Sequence, residues 1–141
     1  MTDDSIGFML SRALRRWRKQ LDERLKARGI TYATWSTLVF IQRGGDGMLQ
    51  RELAAFMDIE APTLVRHLDH LEGEGLVERR ASPTDRRAKS VFLTRRANRV
   101  LGVFQKIADQ TREELLAGIA SDDVERCQLV LEKIISNADG N

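Results

Sequence analysis

The sequence predicts a mainly α-helical chain that carries one small β-hairpin. Three observations lead to this. Apolar residues recur at steps of three or four along both ends of the 141-residue chain, the signature of amphipathic helices. The middle, "LQRELAAFMDIEAPTLVRHLDHLEGEGLVERR", reads as two short helical segments joined by a brief turn. Two runs containing β-branched or aromatic residues, "LVERR" and "KSVFLT", flank a polar segment from Ala81 to Ala88, as the strands of a hairpin flank its tip.

The elements follow in order. Ile6, Leu10, Leu14, Trp17, Leu21 and Leu25 form the stripe of a first helix, with Arg12, Arg15, Arg16, Arg18 and Lys19 on its other faces and Gly29 as terminator. A second helix, from about Thr34, holds Trp35, Leu38, Val39 and Ile41 and stops at Gly44-Gly45-Asp46-Gly47. Gln50 to Met57 is a third, with Leu53, Ala54 and Met57 facing inward and Asp58-Ile59 turning the chain. A fourth begins near Glu60. Pro62 fits its first turn, where a missing N–H costs no intrahelical bond. Leu64, Leu68 and Leu71 form its buried stripe, Thr63, Arg66, His67 and His70 are among its polar positions, and Gly73 and Gly75 end it. After the hairpin a long helix runs from Thr94 through Val100, Leu101, Phe104, Ile107, Ala108 and Leu115, pausing near Gly118. The last starts at Ser121, whose hydroxyl is expected to cap it, with Asp122 and Asp123 in the first turn. It carries Val124, Cys127, Val130, Leu131, Ile134 and Ile135.

With 42% hydrophobic and 31% charged residues, the chain fits one domain with a modest core. No apolar run approaches the roughly 18 residues of a membrane span. The start, with Asp3 and Asp4, lacks the basic-then-apolar pattern of a signal peptide, so a cytoplasmic location is expected. The single cysteine, Cys127, leaves no internal disulfide and no metal-ligand spacing; its simplest reading is a small buried hydrophobe.

Net charge is only +2, but it is unevenly spread. Between residues 79 and 99, Arg79, Arg80, Arg86, Arg87, Lys89, Arg95, Arg96 and Arg99 face Asp85 alone, a surplus of seven positive charges. Between 109 and 139, eight carboxylates outnumber three cations by five. The two regions are suited to different partners.

A helix, a tight turn, a second helix with exposed polar and basic side chains, and then a basic hairpin make a winged helix-turn-helix. The helix carrying Thr63 and Arg66 can enter a major groove about 12 Å wide, where Arg66 can donate to guanine acceptors and Thr63 can meet a thymine methyl or a phosphate. Arg86 and Arg87 at the tip can enter a minor groove or clamp phosphates, with Asp85 expected to orient a neighbouring arginine through a charge-assisted pair. A charge run is ordinarily a solvated turn. Here its place between two strands that directly follow a helix-turn-helix pattern favours nucleic acid.

The run "IEAPTLVRHLDHLEGEGLVERRASPTDRRAKSVFLT" closely resembles the MarR family of transcription factors, especially its SlyA branch. The resemblance continues upstream through "RALRRWRKQLDERLKARGITYATWSTL" and downstream through "TREELLAGIASDDVE". It implies one MarR-type domain over 1–141, with dimerisation helices at about 1–30 and 95–141 and a DNA-binding lobe at about 31–94. It implies a homodimeric regulator, repressor or activator, that sets two recognition helices on one face of double-stranded DNA. Amphipathic helices at both ends of a small chain agree, since they have little core of their own to cover, although packing within one subunit is the plainer alternative. Position by position, the family pattern places Pro62, Thr63 and Arg66 on the recognition helix and Asp85, Arg86 and Arg87 in the wing, beside Lys89. Gln50 is expected near a phosphate, Arg79 and Arg80 as generic phosphate contacts, and His67 as a less specific member of the set.

In that family a small molecule relieves regulation, and in SlyA-like proteins it is an aromatic carboxylate such as salicylate. The matching positions are Arg15, Trp17, Arg18 and Trp35; guanidinium forks grip carboxylates and tryptophan faces hold rings. The alternative is that the tryptophans are core and the arginines solvated. Ala33 and Val39 stand where the branch often has polar residues, a departure that bears on the ligand's hydrogen bonds. Relatives that sense oxidants carry a cysteine near the start of the first helix, where this chain has none. No resident cofactor is expected.

An enzyme is disfavoured. The sequence shows no Gly-rich phosphate loop, no metal-ligand cluster and no nucleophile–base pair, so no catalytic or metal site is assigned. A protein-binding winged helix has no need of Arg86 and Arg87, and a nonspecific architectural protein has no need of Arg66.

Overall fold

A computed structural model describes residues 4–140; Met1 to Asp3, with the charged start noted above, and Asn141 lie outside the described residues. In chain order the elements are α1 (Asp4–Lys26), α2 (Tyr32–Gly44), β1 (Met48–Leu49), α3 (Gln50–Phe56), α4 (Ala61–Gly73), β2 (Val77–Ala81), β3 (Lys89–Leu93), α5 (Arg95–Leu115) and α6 (Ser121–Ala138). The described chain divides into two compact units, one up to Ala108 and one from Asp109.

The first unit has two apolar centres. Leu38 and Ile41 of α2, Leu53 of α3, Leu64, Leu68 and Leu71 of α4 and Val91 of β3 form the larger. Each leucine expected on the buried stripe of α4 is there, which fixes that helix's opposite face outward. Ala97 and Leu101 of α5 belong to the same cluster, so the lobe's core extends past residue 94. The smaller centre gathers Leu21, Leu25, Ile30 and Phe104, with Tyr32, Trp35, Val100, Ile107 and Ala108 against it.

The hairpin is β2 paired antiparallel with β3, Val77 opposite Leu93 and Ala81 opposite Lys89. A third strand joins it: β1 pairs with β3, Met48 opposite Val91, giving the order β1-β3-β2. Two residues are too few to show an alternating pattern, so β1 is invisible in the sequence.

The α3–α4 turn and the α4–β2 turn both close with the last helical turn bonded backwards. In α3 the Ile59 N–H donates to the Ala54 carbonyl at 3.1 Å, with Asp58 in the left-handed region at φ 55°. Aspartate tolerates that conformation better than most residues. In α4 the Leu76 N–H donates to the Leu71 carbonyl at 2.9 Å, with Gly75 at φ 72°.

One expected helix start and one expected cap are corrected. Helix α2 begins at Tyr32, not Thr34, because the Thr31 hydroxyl accepts the Thr34 N–H at 3.1 Å. Thr31→Ala should therefore cost about 1 kcal/mol, read as a lower urea midpoint with an unchanged slope. At α6 the cap position is Ala120, and Ser121 is already helical, so its hydroxyl caps nothing. Asp122 and Asp123 do occupy the first turn. Met57 is half-buried, and Cys127 is exposed rather than buried, on a helix with no buried residue within this one chain.

Candidate nucleic-acid interface

With its leucine stripe anchored, α4 presents Pro62 and Arg66 to solvent and holds Thr63 half-buried. Arg66 Nη2 donates to Thr63 Oγ1 at 3.3 Å, a hydrogen bond that restrains the guanidinium on the exposed face. His67 is set apart from them. It is half-buried, with Nδ1 3.5 Å from Thr37 Oγ1 of α2.

Arg79 occupies a place unlike the generic phosphate contact expected of it. Its side chain retains only 18% of its exposure and is held by ion pairs to Asp69 and Glu72 of α4, the latter with Nε–Oε2 at 3.0 Å. Its Nη1 donates to Gln50 Oε1 at 3.4 Å. One guanidinium thus ties the wing strand β2 to α4 and to the first residue of α3. The Glu72 hydrogen bond raises the Arg79 pKa above the ordinary guanidinium value; burial opposes this and Asp69 adds to it. Gln50, expected at a phosphate, is an acceptor in the same network. Glu72, Asp69 and Gln50 are seven, ten and 29 residues from Arg79 and lie on other elements, so no spacing in the sequence reveals the network.

Arg80 turns back onto its own strand. It grips Glu78 with two bonds, Nε–Oε1 at 3.1 Å and Nη2–Oε2 at 3.0 Å, while its guanidinium lies 4.2 Å from the centre of the Phe92 ring. The pair lowers the Glu78 pKa and raises that of Arg80, the hydrogen bonds being the largest cause of each.

The wing tip is organised by its backbone. Asp85 Oδ1 accepts the Arg87 N–H at 2.9 Å, and the Ala88 N–H donates to the Asp85 carbonyl at 3.1 Å. This corrects the expected ion pair: Asp85 shapes the turn and leaves the guanidinium groups alone, because an aspartate reaches its own backbone two residues on more readily than a mobile side chain. Among the described residues, Arg86, Arg87 and Lys89 have no ion-pair partner. All three are exposed.

Between wing, α3 and α4 lies a cleft of about 230 Å³ with an apolar floor at Leu49, Leu64 and Val65. Arg51, Arg87 and Lys89 share its lining with Gln50 and Asp85. Arg51 is a member of this face that the sequence reading missed. Its only signal is its place beside Gln50 in the first turn of α3.

The four positions expected to hold an aromatic anion are brought together only in part. Arg15 and Arg18 line an open groove with Lys19 and Tyr32, the Arg18 guanidinium lying 5.1 Å from the centre of the Tyr32 ring. Asp22, also in the groove, accepts the Tyr32 N–H at 3.0 Å and pairs with Lys26 at 3.0 Å. The Tyr32 backbone bond and then Lys26 hold its carboxyl below the usual range. The tryptophans are elsewhere. Trp35 packs against the smaller apolar centre with its indole N–H buried and unbonded, and Trp17 is half-buried outside the groove. Tyr32, which the sequence reading placed before the second helix, supplies the ring instead.

Among the described residues no group of three His, Cys, Asp or Glu side chains is placed to hold a metal ion. No described helix is long and apolar enough to cross a membrane.

A family model described as MarR family matches residues 28–88. The crystal structure of transcriptional regulator PA3341 is 40% identical, with a TM-score of 0.86 over 96% of this chain and 99% of that one. A MarR-family transcriptional regulator from Rhodococcus sp. RHA1 is 28% identical, with a TM-score of 0.85 over 95% of this chain and 94% of that one. A mutant MarR from E. coli, complexed with operator DNA, shares the fold at 24% identity, with a TM-score of 0.83 over 92% and 93% of the two chains. By the identity to the first of these over nearly its whole length, and by the helix-turn-helix and wing just described, the chain belongs to the MarR family of DNA-binding transcriptional regulators.

Proposed function

We propose that the protein is a sequence-specific regulator of the SlyA type that binds pseudo-palindromic operators in double-stranded DNA as a homodimer. The observation that carries this is the pairing of an exposed, hydroxyl-restrained Arg66 on α4 with a wing tip whose three cations have no ion-pair partner among the described residues. Unneutralised guanidinium groups beside a helix sized for the major groove fit phosphate contact by the wing and base readout by the helix. Thr63 and Pro62 lie beside Arg66, and Arg51 and Lys89 supply further phosphate contacts along the cleft. Arg79, Gln50 and Asp85 shape this surface, and Arg80 and His67 lie at its margins.

The homodimer rests on apolar surface that one chain leaves bare. On α6, Leu129, Val130 and Ile135 are 64%, 57% and 60% exposed. On α1, Ile6, Phe8, Met9 and Leu14 are exposed as well. A monomer seldom leaves such stripes uncovered. These helices, with the end of α5, are the proposed dimer arms, and a two-fold pair of α4 helices calls for half-sites about 10 bp apart. In the groove of Arg15, Arg18 and Tyr32, a carboxylate would meet the guanidinium forks and a ring would meet the tyrosine, which fits salicylate as effector.

The test is fluorescence anisotropy of the purified protein on DNA from upstream of its own gene and on a scrambled duplex, across salt. Selective binding that weakens steeply with salt is expected. Arg66→Ala should cost about 1–3 kcal/mol and relax selectivity at one base pair per half-site. Arg86→Ala should weaken binding to every duplex and reduce the salt slope by about one per subunit. Unchanged affinity and slope in Arg86→Ala would remove the wing from the interface.

A further inference from the structure

The exposed face of α4 is not uniformly polar. Val65, directly before Arg66, keeps 37% of its surface exposed and forms part of the apolar floor of the cleft between α4 and the wing. Ala61, one helical turn earlier, and Leu49 extend that floor, while Arg51, Arg87 and Lys89 line the same cleft. Helical spacing sets Val65 and Thr63 on opposite flanks of Arg66. On the Thr63 flank the surface is polar: its hydroxyl accepts from the Arg66 guanidinium at 3.3 Å, and the residue is half-buried. A single exposed valine is ordinary on a protein surface. One set in an apolar strip between Arg66 and three cations is placed to meet a particular group.

We propose that Val65 reads the 5-methyl group of a thymine and is a second specificity-determining residue beside Arg66. This role rests on the DNA-binding reading above. Among the groups that base pairs present in the major groove, the thymine methyl is the apolar one. It sits at the edge of the groove, close to the phosphates of its own strand. A reader of that methyl therefore needs a carbon surface bordered by phosphate-binding cations, and the cleft supplies both. Valine donates and accepts no hydrogen bond, so it cannot tell bases apart by their polar edges; what it rewards is a methyl taken out of water. Cytosine that carries a 5-methyl presents the same group in the same place. The position is thus selective for a 5-methylpyrimidine, and methylation of a cytosine there strengthens binding.

The test is selection of bound duplexes by the full chain from three random pools: one of ordinary DNA, one with uracil in place of thymine, and one with 5-methylcytosine in place of cytosine. From the first, thymine should be enriched at one position per half-site, within about two base pairs of the position that Arg66→Ala relaxes, since neighbouring residues of a helix in the groove meet neighbouring bases. From the second, that preference should vanish while the Arg66-dependent one stays, a readout that needs no variant to fold. From the third, 5-methylcytosine should share the position with thymine. In a retained duplex, uracil for thymine should weaken binding about fourfold per half-site, the effect of one buried methyl. Val65→Ala should lose about the same factor on thymine and nothing further on uracil. The proposal is overturned if no thymine is enriched there, if the uracil pool keeps the preference, if Val65→Ala still distinguishes thymine from uracil, or if Pro62→Ala is the variant that erases the difference. A chain that selects no sequence from any pool would overturn the DNA-binding reading as well, which separates the two failures.

Discussion

Replacing Arg79 by alanine is expected to weaken operator binding by about 2 kcal/mol, roughly thirtyfold, while leaving the salt slope unchanged. The guanidinium is largely buried and already committed to Asp69, Glu72 and Gln50, so it has little left to offer a phosphate. Its loss frees two carboxylates on α4, the proposed recognition helix, to face the DNA backbone. It also unties β2 from α4, so the wing and the helix no longer share a fixed spacing. Arg79→Lys should recover only part of the loss, because a single ammonium cannot satisfy three acceptors spread across two helices. The alanine variant should also lose about 1–3 kcal/mol of stability in urea. A salt slope lowered by about one per subunit would instead make Arg79 a direct phosphate contact.

Ile135→Glu is expected to abolish the proposed dimer and, with it, tight operator binding. The side chain is 60% exposed on a helix that buries none of its residues within one chain. A carboxylate there adds nothing unfavourable to the isolated subunit but must be desolvated in an apolar seam. Light scattering should then report the 16.0 kDa subunit mass in place of twice that value. Operator affinity should fall by about a hundredfold or more, since the second half-site ceases to be an intramolecular target. Selectivity within one half-site should survive because Arg66 is untouched. A dimer that persists through Ile135→Glu and Leu129→Glu together would place the interface elsewhere.

Much of the fold was legible because it rests on periodic burial. Leu64, Leu68 and Leu71 are spaced to face one way and do so; Leu21 and Leu25 likewise end in a core. The wing was legible from two short runs around a polar tip, and the breaks at Gly75 and Asp58-Ile59 lie where the chain turns. What escaped depends on contacts between distant residues or on elements too short for a pattern. Strand β1 has two residues and is defined by its pairing with Val91 and Ser90. The Thr31 cap lies just ahead of the apolar stripe that signalled α2. Arg79 looked like its neighbour Arg80, yet strand alternation sends one toward α4 and the other over Phe92. Asp85, expected to hold a guanidinium, takes its own backbone instead, and of the two places open to Trp35, a ligand groove or the core, it takes the core. For Arg79 and Asp85 the residue type was legible and the nearest partner was not.

The most direct test of the account is selection of bound duplexes from random DNA by the full-length protein, followed by sequencing of what is retained. The account predicts enrichment of a two-fold symmetric sequence whose half-sites lie about 10 bp apart, with one position per half-site losing its preference in Arg66→Ala. Retention of unrelated sequences, or of a motif without two-fold symmetry and indifferent to Arg66, would contradict it.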